Sequence, residues 1–80
     1  MDKKFLNIVS GILKIGPENL EENSTAETVA EWDSLNHWAV IGELEDQYGV
    51  EFTMDEAIEF KNLGHIYNTL MSKLDSGITD

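Results

Sequence analysis

Apolar residues recur at three- and four-residue intervals in several separate runs, and polar stretches divide them. Phe5, Ile8, Val9, Ile12 and Leu13 form the first stripe. Asp2 stands where a helix cap belongs, and Gly16-Pro17 is expected to stop the helix. A long polar stretch follows from Pro17 to Asp33, with Leu20, Val29 and Trp32 as its large apolar residues. A loop of that length in a small domain must be pinned by side chains, and these three are the expected pins. The spacing predicts a second helix from about Ser34 to Tyr48, capped by Asp33 and ended by Gly49. Its core stripe is Val40, Ile41, Leu44 and Tyr48. Val50-Glu51-Phe52 reads as extended, with no second strand to pair with. Thr53 and Glu56 stand at capping-box spacing ahead of a short helix through Ala57 and Ile58. Asn62 caps a last helix with the stripe Leu63, Ile66, Tyr67, Leu70 and Leu74. The predicted fold is all-α: a four-helix bundle of three longer helices and a short third one, with a long loop between helices 1 and 2.

Eighty residues hold one domain, with its core in residues 3–74 and a tail, 75–80, expected to fray. Cysteine is absent, which excludes disulfides, a thiolate metal site and a thiol nucleophile. A small fold without such staples suits a reducing compartment. No apolar run approaches membrane-spanning length and no signal-peptide pattern opens the sequence, so a cytoplasmic monomer without membrane insertion is expected.

Charge sharpens this picture. Lys and Arg total 5 against 16 Asp and Glu, for a formal charge of −11. All the cations are lysines, at positions 3, 4, 14, 61 and 73. The span from Ile15 to Phe60 carries 13 acids and no Lys or Arg. Nucleic acid and anionic membranes both need a basic footprint, so neither is an expected partner. A partner with a basic face is, since opposite charge steers encounter. The acids do not make a metal site: nothing matches an EF-hand loop, and His37 and His65 stand alone. They are expected as half-buried or exposed helix residues.

Asp33-Ser34-Leu35 is the sequence's one chemical singularity. Asp and Ser are both preferred capping residues, which explains the pair without any chemistry. No Gly-x-Ser-x-Gly elbow surrounds Ser34, and no base with an orienting carboxylate can be assigned to it. If Ser34 reacts, another protein must activate it. Leu35, Trp38 and Gly42 form a line rotated away from the core stripe, and Glu45 and Asp46 continue it. An apolar patch rimmed by acids suits a transient interface.

The stretch Glu31-Trp32-Asp33-Ser34-Leu35-Asn36-His37, continuing into Leu44-Glu45-Asp46-Gln47-Tyr48-Gly49-Val50-Glu51-Phe52, resembles an acyl carrier protein. Length, helix order, long first loop and acidity resemble that family over nearly the whole chain. The resemblance implies that Ser34 carries 4′-phosphopantetheine, with Asp33 as its motif neighbour and the helix cap. A phosphopantetheinyl transferase would install the arm from coenzyme A with magnesium, through a phosphodiester. The arm's thiol would hold an acyl group as a thioester, so the chain would be a shuttle without catalysis of its own. Partners in the family dock basic patches on the acidic second helix. Leu35, Trp38, Glu45 and Asp46 match that face, with Asp55 and Glu56 as secondary contacts. Acyl chains in the family tuck between the second and third helices, which would place Val40, Ile41, Leu44 and Ile58 along the chain pocket.

Trp32, Asn36, Trp38 and Gly42 depart from housekeeping fatty-acid carriers and look more like carriers of specialised pathways, polyketide or other. Three readings therefore stand: a discrete acyl carrier, a peptidyl or aminoacyl carrier loaded by an adenylating enzyme, and an acidic helical adaptor that is never modified. The cargo is chosen by loading enzymes and downstream synthases, so the carrier sequence leaves acyl and aminoacyl cargo open.

Overall fold

The computed structural model describes residues 1–78 and contains helix α1 (Lys3–Leu13), α2 (Ser34–Tyr48), α3 (Met54–Glu59) and α4 (Leu63–Ile78), with one 3-10 turn at Pro17–Asn19. No strand occurs among the described residues, so Val50-Glu51-Phe52 is a connection. The expected all-α bundle with three longer helices, a short third helix and a long first loop is the observed one.

Helix α1 starts as the sequence predicts, with the Asp2 carboxylate accepting the Phe5 N–H at 2.8 Å. Its end is different. The helix stops at Leu13, and Lys14 takes the left-handed conformation (φ 61°), donating its N–H to Ser10 at 2.8 Å. The expected stop at Gly16-Pro17 is thus corrected: the chain has already turned, and Pro17 opens the 3-10 turn instead. Left-handed backbone is costly for a lysine, so the turn is held by what it connects rather than by propensity. Helix α4 continues past Leu74 to Ile78, into the tail, 75–80, that is expected to fray. Residues 79–80 of that expected tail lie outside the described residues.

The core joins three helices and the loop. Phe5, Val9 and Leu13 from α1 meet Val40 and Leu44 from α2 and Leu63, Ile66 and Leu70 from α4. Leu20, Val29 and Trp32 are buried in the same cluster, so the long loop is pinned by the three residues that the pattern singles out. Loop backbone also ends a helix. The Leu63 and Gly64 N–H groups at the start of α4 donate to the carbonyls of Ser24 and Glu22, both at 2.9 Å. Those amides have no intrahelical partner, and here the loop supplies one. Within the loop, buried Ser24 accepts the Glu21 N–H at 2.9 Å.

The start of α1 is tied to the end of α2. The Tyr48 hydroxyl donates to Asp2 at 3.3 Å, and the Lys4 ammonium lies 4.5 Å from the Tyr48 ring centroid. Burial, then the nearby Asp2 charge, pushes the Tyr48 hydroxyl up to about 12.

Helix α3 is held differently. Only Ala57 of its residues is buried, while Met54 and Ile58 are exposed. Its ties are mostly polar. Thr53 and Glu56 form the reciprocal capping box, and the Glu56 carboxylate pairs with Lys73 at 2.9 Å. The Lys73 bond first, then the Thr53 N–H, holds the Glu56 carboxyl below the usual glutamate range.

Candidate functional site

Helix α2 begins at Ser34, and its cap is Asp33, whose carboxylate accepts the Asn36 N–H at 2.8 Å. Ser34 is exposed, and the cap does not use its hydroxyl. Asn36 follows the Asp-Ser-Leu and donates its amide to the Glu31 carbonyl at 2.7 Å. A carboxylate at that position could not make this bond, which accounts for one departure from housekeeping carriers. The loop thus meets the helix start in a fixed geometry.

Beside Ser34 lies an open groove of about 730 Å³. The loop supplies Thr25, Ala26, Glu27, Ala30 and Trp32; α2 supplies Ser34, His37 and Trp38; α3 and the segment after it supply Ala57, Ile58, Phe60 and Lys61. A larger hollow of about 930 Å³ is lined by Tyr48, Val50, Glu56, Lys73 and Leu74 and does not include Ser34.

The structure sorts the sequence-predicted residues into groups. Leu35 and Trp38 are exposed, at 79% and 43%, as are Met54 and Ile58 of α3, and Trp38 and Ile58 both line the groove. The pattern along α2 could not show that Ile58 of α3 lines one groove with Trp38, because the relative placement of two helices is a tertiary fact. Asp46 and Asp55 are exposed. Glu45 and Glu56 are half-buried and engaged: Glu45 accepts the Phe52 N–H at 2.8 Å, and Glu56 is held as described. Of the four residues expected along an acyl pocket, Ile58 lines the groove. Val40, Ile41 and Leu44 are buried and do not line it, and Val40 and Leu44 belong to the central core.

Two residues take on roles that the sequence does not signal. The Trp32 indole N–H donates to Nδ1 of His37 at 3.0 Å, and Nε2 of His37 meets the Ala57 carbonyl at 2.8 Å. The Trp32 and His37 rings are 19° apart in tilt with centroids 6.0 Å apart, the geometry of two rings meeting edge to edge through that bond. His65 accepts the Lys61 N–H at Nδ1, 3.2 Å away. Both histidines are therefore half-buried and hydrogen-bonded. Among the described residues no group of three or more His, Cys, Asp or Glu could hold a metal ion. Among the described residues no helix is long and apolar enough to cross a membrane.

The family model described as phosphopantetheine attachment site matches residues 3–70. The chain belongs to that family. Phosphopantetheine-binding domains are non-catalytic carriers whose prosthetic group is a covalently attached 4′-phosphopantetheine, and they work with phosphopantetheinyl transferases and biosynthetic enzymes. The match begins at the start of α1 and ends within the last helix, so it takes in the loop, Ser34 and the groove. A comparison with curated proteins gave no match.

Proposed function

We propose that Ser34 is the attachment point and that this phosphopantetheine-binding protein is a discrete acyl carrier of a specialised pathway. The observation that carries the reading is the division of labour at the start of α2. Asp33 caps the helix, and this leaves the exposed Ser34 hydroxyl available beside an open groove within a matched carrier domain. The fit is chemical as well as spatial, because the chain has no cysteine and a carrier needs a thiol from elsewhere. Once attached, the arm supplies that thiol and holds cargo as a thioester.

The chain's own residues position and present. The Ser34 oxygen bonds to the phosphorus that carries the pantetheine arm as that phosphorus loses its bond to the bridging oxygen of the coenzyme A pyrophosphate; 3′,5′-adenosine bisphosphate leaves, and the transferase, not this chain, takes the hydroxyl proton. Exposed Leu35 and Trp38, with Ile58 beside Trp38 along the groove, form the apolar centre of the partner face. Asp46 and Asp55 rim it and steer basic partners: the transferase, a loading enzyme and downstream synthases. Ile58 and Trp38 reach both this face and the groove, so a partner that docks there also meets the cargo's exit. The carrier acts as a cytoplasmic monomer in acyl assembly, of fatty-acid, polyketide or related type.

The test is intact mass after incubation with coenzyme A, magnesium and a broad-specificity transferase. Wild type gains one arm, and Ser34→Ala gains none while keeping its helices, because Asp33 remains as the cap. Wild type that stays unmodified beside a working control carrier would overturn the reading and leave the unmodified adaptor in its place.

A further inference from the structure

We propose that His37, in its neutral form, is a positioning residue for Ser34: it latches the end of the long loop and the end of α3 to the helix that carries the serine. This rests on Ser34 being the attachment point. An indole N–H can only donate, so Nδ1 of His37 accepts from Trp32. A backbone carbonyl can only accept, so the ring proton sits on Nε2 and goes to Ala57. The two contacts together admit one state of the side chain, a neutral imidazole in the Nε2–H form. An imidazolium keeps the Ala57 bond, but its Nδ1–H then faces the Trp32 N–H with no acceptor between them.

What the latch joins gives it its importance. Trp32 is the last buried anchor of the loop, two residues before Ser34. Ala57 is the one buried residue of α3. Its carbonyl lies in the last turn of a six-residue helix, where intrahelical partners run out. The Lys61 N–H, which a longer helix would aim at that carbonyl, goes to His65 instead. His37 therefore completes the end of α3 and, through the same ring, fixes the loop. Both are walls of the groove at Ser34. With its other ties mostly polar and surface-lying, α3 depends on this bond for its distance from α2.

A proton on Nδ1 removes the acceptor that Trp32 uses. The charged groups that line the same groove are Glu27 from the loop, Asp33 at the start of α2 and Lys61 after α3. A charged His37 faces two carboxylates and one ammonium there, so protonation changes both the hydrogen bonding and the charge balance beside Ser34.

The experiment has two arms. In the first, the indole N–H signals of 15N-labelled wild type and the His37 ring signals are followed from about pH 8 to about pH 5. The Trp32 signal moves in step with the His37 titration, and in His37→Gln this step is gone. In the second, initial rates of arm transfer are compared for wild type, His37→Gln, His37→Asn and Trp32→Phe, each checked by circular dichroism. Gln keeps the donor to Ala57, and Asn keeps the acceptor for Trp32. Each variant loses about fivefold in kcat/KM, the worth of one ordinary hydrogen bond. Trp32→Phe adds nothing to His37→Gln, because both remove the same bond. A Trp32 signal indifferent to the His37 titration overturns the latch, and so do folded variants that load at the wild-type rate. Wild type that accepts no arm overturns the attachment reading and the positioning role with it. The indole titration, which needs no loading, then separates that failure from the absence of the latch.

Discussion

The Gly64 N–H donates to the Glu22 carbonyl at 2.9 Å, and the two backbones lie so close that a Cβ on Gly64 would stand 3.1 Å from that oxygen and 3.0 Å from the Glu22 Cβ. The close approach is what lets the loop cap the start of helix α4. Alanine normally stabilises a helix over glycine by up to about 1 kcal/mol. At Gly64 the obstacle is partly backbone, pinned by the same hydrogen bond, and overpacking costs about 1–3 kcal/mol. Gly64→Ala is therefore expected to lower the melting temperature by several degrees. Gly42, inside α2, has nothing within 4 Å of a built Cβ, so Gly42→Ala is expected to raise it. Thermal unfolding of the two variants side by side checks the pair of opposite signs. Equal stabilisation by both would show that the loop yields at Glu22.

Charge and apolar contact on the partner face separate by mutation. Glu45 is a poor probe of docking on its own, because its carboxylate also receives the Phe52 N–H. Asp46 is exposed and gives the cleaner test. Asp46→Lys is expected to slow association with the transferase, with a defect that shrinks as salt rises. Glu45→Gln keeps an acceptor for Phe52 and should show a smaller effect of the same kind. Trp38→Ala is expected to speed dissociation, by an amount on the order of 2 kcal/mol and with little salt dependence. Stopped-flow binding at two ionic strengths measures both. A Trp38→Ala protein that loses its helices, with docking of the folded fraction unchanged, would make Trp38 a structural residue.

Local signals in the sequence carried most of the fold because the elements are locally coded. Asp2, Asp33, Thr53 and Asn62 each cap the helix whose start they mark, and Gly49 ends α2 in the left-handed conformation (φ 67°). The stop of α1 is not legible in the sequence because Lys14, not Gly16, takes the left-handed turn, and no propensity favours a lysine there. The site was legible only along α2. Helical periodicity relates residues three or four apart on one helix. It says nothing of Trp32 to His37, which crosses a cap, or of His37 to Ala57, which crosses between helices. The groove is likewise invisible in one dimension, since its walls come from three segments. Asn36 was read as a departure from housekeeping carriers; its bond to the Glu31 carbonyl needs the loop in place before it has a meaning.

Glu56 ties α3 to α4, and pH reads that tie out. Its carboxyl is held below the usual glutamate range, first by the Lys73 bond and then by the Thr53 N–H. A depressed carboxylate contributes stability that is present above the unfolded value and is lost as pH falls through the folded one. Glu56→Gln keeps an acceptor for Thr53 but offers Lys73 no charge. It is expected to be less stable than wild type near neutrality, by less than about 1 kcal/mol because solvent screens the pair. The gap should close as pH falls through the lowered value of the folded carboxyl. Denaturant unfolding at neutral and acid pH measures it. A gap that persists in acid would assign the loss to the capping box rather than to the ion pair.

Thirteen acids between Ile15 and Phe60 face few cations at close range. Lys73 with Glu56 is the one ion pair found among the described residues, and Lys4 is committed to the Gln47 carbonyl and the Tyr48 ring. Self-repulsion of this kind destabilises the compact state, and salt screens it over a Debye length of about 10 Å at 0.1 M. The melting temperature is therefore expected to rise with sodium chloride. At equal ionic strength magnesium should raise it further, by bridging carboxylates. With no cluster of three or more potential ligands among the described residues, the magnesium effect should climb gradually rather than saturate at one ion per chain. A melting temperature flat across the sodium chloride titration would show that the acids are already compensated. A sharp magnesium plateau at one equivalent would instead reveal a discrete site.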